Sequence, residues 1–574
     1  MDEEIQSAEQ ATIPEPAGTG LGAKIDRRQF LNRAAALGVS AGAAGAFLAV
    51  PGSLPTLSRT APSSARSQHG GTLRFGPFPD GADYDPATND FDFPNPPFPS
   101  IYEGLMAYNP LKSTHSPAEN LLAESIEVST DGRRYRFKVR EGVEFHHDYG
   151  EMTAADVKYS FERNAGLTKL YPGAPKSAVS YYTGDFSSLE SVTVTGKYTG
   201  VVVFKEPFVP FETMTLPWTT SGYIFPHKAV EKYGSTFGHH PTGTGPYEVV
   251  SYTPASEMVL QRFSRYSGAN HRLGARNFYD EIQIKMTALN ALPKGEALTV
   301  ALQSGEVDFT YNLGALDVQR LKNNSGFRTY SPAAPLDYYF LGMDVRNHKL
   351  SDLRVREAIR YALDIPEIIK ANRLPLSTRM PSLISKSLGV GYWKSAPEYH
   401  RDVSKAKSLL KDAGVKNLSL DIANPLITET PGEPIDLMTV IQSNLKDVGI
   451  DLNIIETPPN SYVTKPGYGT LITSYYGGAP DPYYQFEWFT CSQIGVWNYA
   501  SWCNKQYSDL FVSLGRTANK KQRDSIAIEM QKLIDRDASY VWLCSAINFA
   551  ASSSDTRIVW DRNGNPLLHY AHRI

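Results

Sequence analysis

The stretch VSKAKSLLKDAGVKNLSLDI, from Val403 to Ile422, decides the fold class of this chain. Its first part is predicted to be helical and to end at Gly414, because glycine commonly terminates helices. Its last part, Leu418–Ile422, is strand-like. A second unit follows directly, with a helix predicted over Ile435–Val448 and a strand over Ile450–Ile455. Strands that alternate with helices of this length predict α/β layers.

The same mixture of helices and strands extends outward in both directions. Thr153 is expected to cap a helix that runs to Glu162. The pair Asp131-Gly132 predicts a turn before a strand. Further helices are predicted over Asp352–Leu363, Pro366–Asn372 and Lys520–Arg536, and strands over Gly71–Phe75, Arg134–Val139, Val192–Val194, Val201–Phe204, Tyr247–Val250, Met258–Arg262 and Tyr540–Leu543.

The composition is that of a globular protein. The chain has 574 residues, of which 20% are charged and 41% hydrophobic, and its formal net charge is −3. This length is enough for about two to four structural units. Binding to nucleic-acid phosphates requires a basic surface, so the charge balance argues against nucleic acid as a main partner. No long apolar run follows Val50, and we therefore expect no integral membrane domain beyond it.

The N-terminal region has the features of an export signal. The motif Asp26-Arg27-Arg28-Gln29-Phe30-Leu31 places the adjacent arginines Arg27 and Arg28 ahead of a Gly/Ala-rich apolar run, Ala34–Val50. This pattern predicts a twin-arginine (Tat) signal, which delivers folded proteins to the Tat translocase. The alternative interpretation is an ordinary N-terminal helix with a chance pair of arginines. Residues 1–65 are therefore expected to comprise a disordered n-region, the signal peptide and a tether.

The three cysteines, Cys491, Cys503 and Cys544, all lie late in the chain. None of them lies directly after the apolar run Ala34–Val50, where a lipid would be attached. We therefore predict no lipid anchor and expect the exported protein to be soluble in the periplasm. Cys491 and Cys503 would close a short loop, where a disulfide is plausible in an oxidising compartment. Cys544 lies in an apolar stretch and is predicted to be a buried free thiol. No histidine lies near Cys491 or Cys503, so a zinc site is disfavoured, and neither a metal nor a cofactor is expected.

Several motifs that resemble functional sites are interpreted as structural. The segment Gly243-Thr244-Gly245-Pro246 lacks the lysine, the Ser/Thr and the following helix of a phosphate loop, and is predicted to be a tight turn. Arg354 and Arg356, at a helix start, are interpreted as surface and capping charges. His146-His147-Asp148 and His239-His240 have no carboxylate or cysteine at helical ligand spacing. The sequence also contains no recognisable hydrolase or redox motif, so no catalytic residue is assigned.

Nine sequence blocks in a fixed order resemble one protein family. They are Ile101–Leu105, Leu122–Ser125, Phe137–His146, Thr153–Arg163, Gly243–Tyr247, Ser304–Asp308, Leu353–Ile359, Lys405–Leu410 and Asp481-Pro482. Together they resemble the family 5 extracellular solute-binding proteins of ABC importers, the oligopeptide-, dipeptide- and nickel-binding group. The resemblance covers nearly everything from Gly70 to the C-terminus.

This resemblance implies an α/β fold of the periplasmic-binding-protein-like type II, in which two lobes close over a ligand about a hinge. Lobe I would comprise residues 70–337, including a family-specific subdomain at about 110–241, and would be completed by residues 544–574. Lobe II would comprise residues 338–543.

The resemblance also suggests where a ligand binds. Ser474–Pro482 resembles the cleft-facing loop of lobe II, and Cys491 and Cys503 resemble the disulfide of dipeptide-binding members. The aromatic candidates for ligand contact are Tyr475, Tyr476, Trp497 and Tyr499. Such rings could stack on a sugar, an opine or a peptide side chain, or they could instead pack the lobe.

One departure from the family pattern concerns the ligand's amino group. In peptide-binding members, an acidic residue three positions before the aspartate of Asp-Pro grips the amino terminus of the peptide, and here that position is Gly478. A buried ammonium without a carboxylate partner is expensive to bind, so recognition of an ordinary peptide amino terminus is put in doubt. Asp481 could substitute as a direct contact, although its position is more often structural.

The sequence therefore predicts a monomeric substrate-binding component of an ABC importer, and not an enzyme. Its partners would be a small solute, such as a peptide, an opine or an oligosaccharide, and the ABC permease subunits in the membrane. Two alternatives remain open: a Tat-exported periplasmic enzyme, and a solute-binding sensor or chaperone that acts without a transporter.

Overall fold

The structure is a computed structural model, and it describes residues 70–81, 83–89, 96–275, 277–288, 295–371, 377–423, 434–455 and 470–574. The predicted export signal, with Arg27 and Arg28, lies outside these residues, as does the rest of the segment 1–65. None of the helices in the described ranges is long and apolar enough to cross a membrane.

The described strands, in chain order, are β1 (Thr72–Asp80), β2 (Met106–Ala107), β3 (Glu119–Asn120), β4 (Ala123–Val128), β5 (Arg134–Val139), β6 (Leu189–Gly196), β7 (Thr199–Phe204), β8 (Tyr247–Thr253), β9 (Glu257–Arg262), β10 (Glu281–Ala288), β11 (Phe309–Tyr311), β12 (Phe327–Tyr330), β13 (Ala333–Met343), β14 (Leu418–Ala423), β15 (Ile450–Ile455), β16 (Leu471–Tyr476), β17 (Tyr540–Ile547), β18 (Ala550–Ser553), β19 (Thr556–Trp560) and β20 (Pro566–Arg573).

The described α-helices are α1 (Phe98–Ile101), α2 (Ala154–Asn164), α3 (His227–Tyr233), α4 (Gly295–Gln303), α5 (Ala315–Lys322), α6 (Leu353–Ala362), α7 (Ile365–Ala371), α8 (Val403–Asp412), α9 (Pro434–Lys446), α10 (Pro482–Glu487), α11 (Lys505–Arg516) and α12 (Lys520–Asp537).

The stretch that decides the fold class has the predicted form. α8 is followed by β14, and α9 is followed by β15, and the two strands pair in parallel with Leu418 opposite Ile450. Gly414 and Gly449 follow the two helices with φ of 72° and 85°, a conformation that glycine adopts without steric cost. Both strands belong to a five-stranded sheet of order β15-β14-β16-β13-β17.

A second, seven-stranded sheet has the order β12-β18-β11-β1-β10-β9-β8. It combines strands from the start of the described chain with β18 from near its end, so the C-terminal region completes the N-terminal sheet. A four-stranded antiparallel sheet of order β4-β5-β7-β6 lies within residues 123–204 and is accompanied by α2. Thr153 and Asp156 form a capping box at the start of α2, which confirms the predicted helix start.

Two chain segments connect the seven-stranded and five-stranded sheets. One connection joins β12 to β13 through residues 331–332, and the other joins β17 to β18 through residues 548–549. The backbone N–H of Asn548 donates to the carbonyl oxygen of Pro332 at 3.0 Å, so the two connections lie side by side. The lobe boundaries expected from the sequence, 337/338 and 543/544, fall inside β13 and β17. The division of the chain into lobes stays a prediction.

The interpretation of Arg354 and Arg356 as surface and capping charges is wrong in part, because Arg356 does not lie at the surface. Arg354 is exposed and pairs with Asp352 at 2.6 Å, as expected of a surface charge. Arg356 is instead buried, and its guanidinium donates to the carbonyl oxygens of Leu350, Ser351 and Asp537. Because Asp537 ends α12, Arg356 satisfies a carbonyl group that the helix itself leaves unpaired.

The Gly243–Pro246 segment is a buried bend packed on α1, and a Cβ on Gly243 would lie 2.2 Å from the carbonyl oxygen of Ile101. Within the described residues, no cluster of three or more histidine, cysteine or acidic side chains is arranged to hold a metal. His146 is buried with its Nε2 2.8 Å from the carbonyl oxygen of Gly245. Cys544 is a buried free thiol, as predicted.

Candidate functional site

A partly open cavity of about 130 Å³ lies in the described part of the chain. Its walls come from three stretches, between residues 99 and 114, between 216 and 223, and between 561 and 570, together with Leu121, Asn270 and Leu273. The first two stretches flank the four-stranded sheet in sequence, and the third is the β19–β20 hairpin. Residues far apart in sequence therefore share one cavity.

The hairpin turn that contributes to the wall is built by Asp561. Its Oδ1 accepts hydrogen bonds from the backbone N–H groups of Asn563 and Asn565, each at 2.8 Å, and its Oδ2 accepts from Asn565 Nδ2 at 3.0 Å. Burial raises the pKa of Asp561 to about 6. Gly564 completes the turn with a φ of 74°. This local network holds the turn, and with it Arg562, against the cavity.

Arg562 is a largely buried cation. The Cζ atom of its guanidinium lies 3.3 Å from the centroid of the Tyr108 ring, and its Nη2 donates to the carbonyl oxygen of Ser116 at 3.0 Å. Its Nε atom is buried and has no hydrogen-bond partner, and no carboxylate oxygen of the described residues lies within 4.0 Å of the guanidinium. Burial lowers the pKa of Arg562.

Two further polar atoms of the cavity wall lack partners among the described residues. The Nε1 of Trp218 and the Nδ1 of His569 are both buried without a hydrogen bond. Burial lowers the pKa of His569 to about 3, so its ring is neutral near pH 7. The Trp218 ring meets the Tyr108 ring edge-on, with the centroids 6.3 Å apart. Buried polar atoms are usually hydrogen-bonded, so these three atoms leave hydrogen-bonding capacity that water or a bound solute can fill.

The five-stranded sheet and its loops close one side of this region. Trp218 and Met214 pack in one apolar cluster with Leu336, Ala479 and Tyr484. Leu336 lies in β13, and the other two belong to the loop and helix after β16. The cluster therefore brings the cavity wall into contact with the part of the chain that carries the ligand loop predicted from the sequence.

Asp337 joins these parts by hydrogen bonds. Its Oδ1 accepts from the backbone N–H of Gly478 at 3.0 Å and from Asn563 Nδ2 at 2.6 Å, and its Oδ2 accepts from the Tyr475 hydroxyl at 3.2 Å. Burial raises the pKa of Asp337 to about 7. Asn563 is the neighbour of Arg562, so one buried carboxylate ties the cavity turn to the Ser474–Pro482 loop.

Gly478 has a steric reason to be glycine. A Cβ at this position would lie 2.1 Å from the carbonyl oxygen of Leu336 and 2.8 Å from Gln485 Nε2. An acidic residue could not stand here without moving β13. The resemblance places an acidic side chain at this position in peptide-binding members. Here the backbone of β13 occupies the space that such a side chain would need.

Asp481 is held by protein groups. It caps α10 by accepting from the N–H of Tyr483, and it forms a buried ion pair with Arg523, with N···O distances of 2.7 and 2.8 Å. The Thr213 hydroxyl donates to it at 2.6 Å. Although burial opposes the charged form, Arg523 holds the pKa of Asp481 below its usual range.

The other aromatic candidates form a packed group. Tyr476 and Tyr499 are buried with ring centroids 5.6 Å apart, and the Tyr476 hydroxyl donates to the carbonyl oxygen of Trp497. Trp497 is partly exposed, and Cys491 and Cys503 are joined by a disulfide that closes this loop. Among the described residues that line the 130 Å³ cavity are none of the six candidates Tyr475, Tyr476, Gly478, Asp481, Trp497 and Tyr499. Their contact with a ligand stays a prediction.

Sequence reasoning missed the residues that do line the cavity. Trp218 is one of 7 tryptophans, and the segment Asp561–Asn565 has the composition of a turn. These signals could have marked Trp218 and the turn as features of interest. They carry no information that the two meet, since more than 300 residues separate them in the chain.

The two large sheets, the paired connections between them and the helices packed on them define a protein of the α/β class. The model of the bacterial extracellular solute-binding proteins, family 5, matches residues 118–496. This match covers more than half of the chain, and the chain belongs to that family.

Individual relatives agree with this assignment. The chain is 26% identical over 436 residues to the dipeptide-binding protein of Escherichia coli (strain K12), an alignment that covers 73% of this chain and 79% of that protein. It is 27% identical over 320 residues to the glutathione-binding protein GsiB of Shigella flexneri serotype 5b (strain 8401). That alignment covers 55% of this chain and 57% of the relative, so it spans little more than half of that protein's length.

A solved structure shows the same fold. The dipeptide-binding protein from Pseudoalteromonas sp. SM9913, in complex with Met-Leu, is similar with a TM-score of 0.76 and 19% sequence identity. The similarity covers 88% of this chain and all of that one. The type II two-lobed fold expected from the sequence is confirmed.

Proposed function

We propose that this chain is the substrate-binding component of an ABC importer, and that it captures a peptide or peptide-like small solute between its two lobes. The observation that carries this proposal is a cavity with unpartnered polar atoms, lined by residues of the expected lobe I, whose Trp218 packs against Ala479 and Tyr484 of the expected lobe II. The relatives named above as dipeptide- and glutathione-binding proteins support a peptide-like ligand.

The size of the cavity favours a small solute. About 10–15 Å³ of such volume holds one water, so 130 Å³ has room for on the order of ten water-sized groups. This is the scale of a dipeptide or a compound of similar size. Tyr102, Tyr108, Trp218, Tyr223 and Tyr570 supply an aromatic lining, which suits a partly apolar occupant.

We propose that the seven-stranded sheet belongs to lobe I and the five-stranded sheet to lobe II. The hinge would be the pair of connections at 331–332 and 548–549, a few residues from the boundaries expected from the sequence. The four-stranded sheet would form the extra subdomain at about 110–241. Closure by rotation at the hinge would bury the solute, which lets a permease distinguish loaded from empty protein.

The export route and location belong to the same proposal. Arg27 and Arg28 would direct the folded chain to the Tat translocase, and the protein would act in the periplasm as a soluble monomer without a lipid anchor. It would bind its solute without converting it, so no enzymatic activity is proposed.

A ligand screen tests this function. The purified protein is titrated in a thermal-shift assay with dipeptides, tripeptides, opines, oligosaccharides and nickel salts. We expect at least one peptide-like compound to raise the Tm, because a ligand that binds only the folded state stabilises it. Stabilisation by oligosaccharides or nickel alone would refute a peptide-like ligand. Chemical turnover of the stabilising compound would refute the binding-only role.

A further inference from the structure

The cavity has an asymmetry between its donors and its acceptors. The Nε of Arg562 and the Nε1 of Trp218 are N–H donors that are buried without partners among the described residues. Both line the same cavity, and the Tyr108 ring contacts both side chains. Two of the three orphan polar atoms of this wall are therefore N–H donors, and one of these donors is cationic. The third, Nδ1 of the neutral His569 ring, donates or accepts according to the tautomer.

The two carboxylates of the cavity wall are already satisfied by protein groups. Asp561 accepts its three hydrogen bonds from the hairpin turn. Glu103 accepts from the Tyr266 hydroxyl at 2.7 Å and from Thr244 Oγ1 and Asn270 Nδ2, each at 2.9 Å. An ammonium group entering the cavity would find most of the capacity of these carboxylates already used, whereas an anion would meet N–H groups that have no acceptor among the described residues.

We propose that Arg562, assisted by Trp218, binds a carboxylate group of the captured solute, so that the protein recognises its ligand by the anionic end. This inference rests on the proposed solute-binding function and specifies the ligand class. It is consistent with glycine at position 478. The resemblance places there the acidic residue with which peptide-binding members hold the amino group of the peptide, and this chain has no side chain at that position.

The geometry around Arg562 favours a carboxylate as the ligand group that it binds. Stacking on Tyr108 fixes the plane of the guanidinium, and the bond from Nη2 to Ser116 fixes its rotation. A planar guanidinium held in this way presents N–H groups in the arrangement that a planar carboxylate accepts. Burial strengthens the attraction between the guanidinium and an anion, because the local dielectric constant is lower than in water. The charge is also available to a ligand, since no carboxylate of the described residues lies within 4.0 Å of it.

The decisive measurement compares dipeptides with their C-terminal amides, which have nearly the same shape but lack the negative charge. Isothermal titration calorimetry is performed on the full chain, on Arg562→Gln and on Arg354→Gln. The control removes an exposed arginine that pairs with Asp352 outside the cavity. We expect the wild type and Arg354→Gln to bind the acid about 10- to 100-fold more tightly than the amide, which is the usual size of a charge-assisted hydrogen bond.

The Arg562→Gln variant is expected to lose this preference. Its affinity for the acid falls about 10- to 100-fold, while its affinity for the amide stays within about threefold of the wild type. Trp218→Phe keeps an aromatic ring but removes the N–H donor, and it should weaken the acid more than the amide. Arg562→Lys keeps the charge and provides a second variant if Arg562→Gln folds poorly, as judged by circular dichroism; it should retain part of the preference.

The outcomes separate this inference from the proposed function. Equal binding of acid and amide by the wild type, or an unchanged preference in Arg562→Gln and Arg562→Lys, overturns the role of Arg562 while leaving solute binding intact. If no dipeptide binds in either form, the peptide-like function fails, and glutarate and inorganic phosphate are used as probes at constant ionic strength. Stabilisation of the wild type, but not of Arg562→Gln, by glutarate supports the carboxylate site. Stabilisation by phosphate alone, or by neither anion, contradicts it.

Discussion

The Arg523 guanidinium and the Asp481 carboxylate form a two-point ion pair, with Nη1 to Oδ2 at 2.8 Å and Nη2 to Oδ1 at 2.7 Å, and both side chains are almost completely buried. Thr213 adds a third hydrogen bond from the segment that also carries Trp218. The pair therefore fixes the start of α10 to α12 and to the cavity wall. Both carboxylate oxygens of Asp481 are thus engaged by protein donors.

Asp481→Asn is expected to lower the free energy of unfolding by about 3–5 kcal/mol, because it leaves the buried Arg523 charge without its counter-ion. Chemical denaturation measures this. The matched control is Asp509→Asn, which removes the exposed Lys505–Asp509 pair and should cost no more than about 1 kcal/mol. Equal losses for the two variants would contradict the assignment.

The stability that the Asp481–Arg523 pair contributes should depend on pH. Because the pKa of Asp481 is lowered in the folded protein, this contribution is complete above the unfolded pKa of about 3.9 and is lost as the pH falls through the folded pKa.

Gly478→Ala is expected to destabilise the protein by about 1–3 kcal/mol, since the added methyl group would meet the Leu336 carbonyl oxygen. Gly478→Asp should cost more and should not create tighter binding of peptide amines. Gly184→Ala is the control, because its nearest neighbour, Glu487 Oε1, lies at an ordinary contact distance of 3.5 Å. Thermal unfolding compares the three variants. A stable Gly478→Asp protein with increased affinity for dipeptides would refute the steric argument.

Asp337→Asn is expected to change how stability depends on pH. Burial raises the folded pKa of Asp337 to about 7, so the folded state binds the proton more tightly than the unfolded state, whose pKa is about 3.9. The resulting stability is complete below about pH 4 and is lost as the pH rises toward 7. The variant lacks this titration, so its Tm should fall less between pH 4 and 7 than that of the wild type. Parallel curves for the two proteins would show that Asp337 does not titrate in this range.

Removal of the disulfide by Cys491→Ser with Cys503→Ser is expected to lower the free energy of unfolding by up to about 3 kcal/mol, because the bond closes a loop between residues 12 positions apart. Denaturant unfolding with and without reductant provides the measurement. Reductant should destabilise the wild type and leave the double variant unchanged. An effect of reductant on the double variant would show that reductant does not act through the Cys491–Cys503 bond.

Replacement of Arg27 and Arg28 by lysine is expected to retain the protein in the cytoplasm, if these residues form a Tat signal. Cell fractionation shows the location, and calorimetry on the retained protein should give unchanged ligand affinity, since an export signal takes no part in solute binding. Normal export of the double variant would exclude the Tat route.

The parts of the fold that could be predicted from sequence depend on local patterns. The units from Val403 to Ile455 follow from helical periodicity, glycine ends and strand composition, and the capping box at Thr153 involves residues three positions apart. In each case the deciding interaction lies within a few residues of the pattern that reveals it.

The parts that could not be predicted depend on contacts across the chain. Arg356 looks like a surface charge until α12 brings the Asp537 carbonyl oxygen to it. Gly478 could be recognised as a departure from the family, but the carbonyl oxygen of Leu336 that forbids a side chain there comes from another strand. The cavity has the same origin, because Trp218 and Arg562 meet only through the fold.

The hydrogen bond from Asn548 to Pro332 would have a consequence for the proposed delivery to a permease. If the two connections act as the proposed hinge, their side-by-side placement would restrict the relative motion of the two sheets mainly to rotation about one axis. Occupancy of the cavity would then be expressed as a single angle, and the faces far from the cavity would move in proportion to their distance from the axis. A permease could read the presence of the solute from the separation of those faces without touching the solute itself.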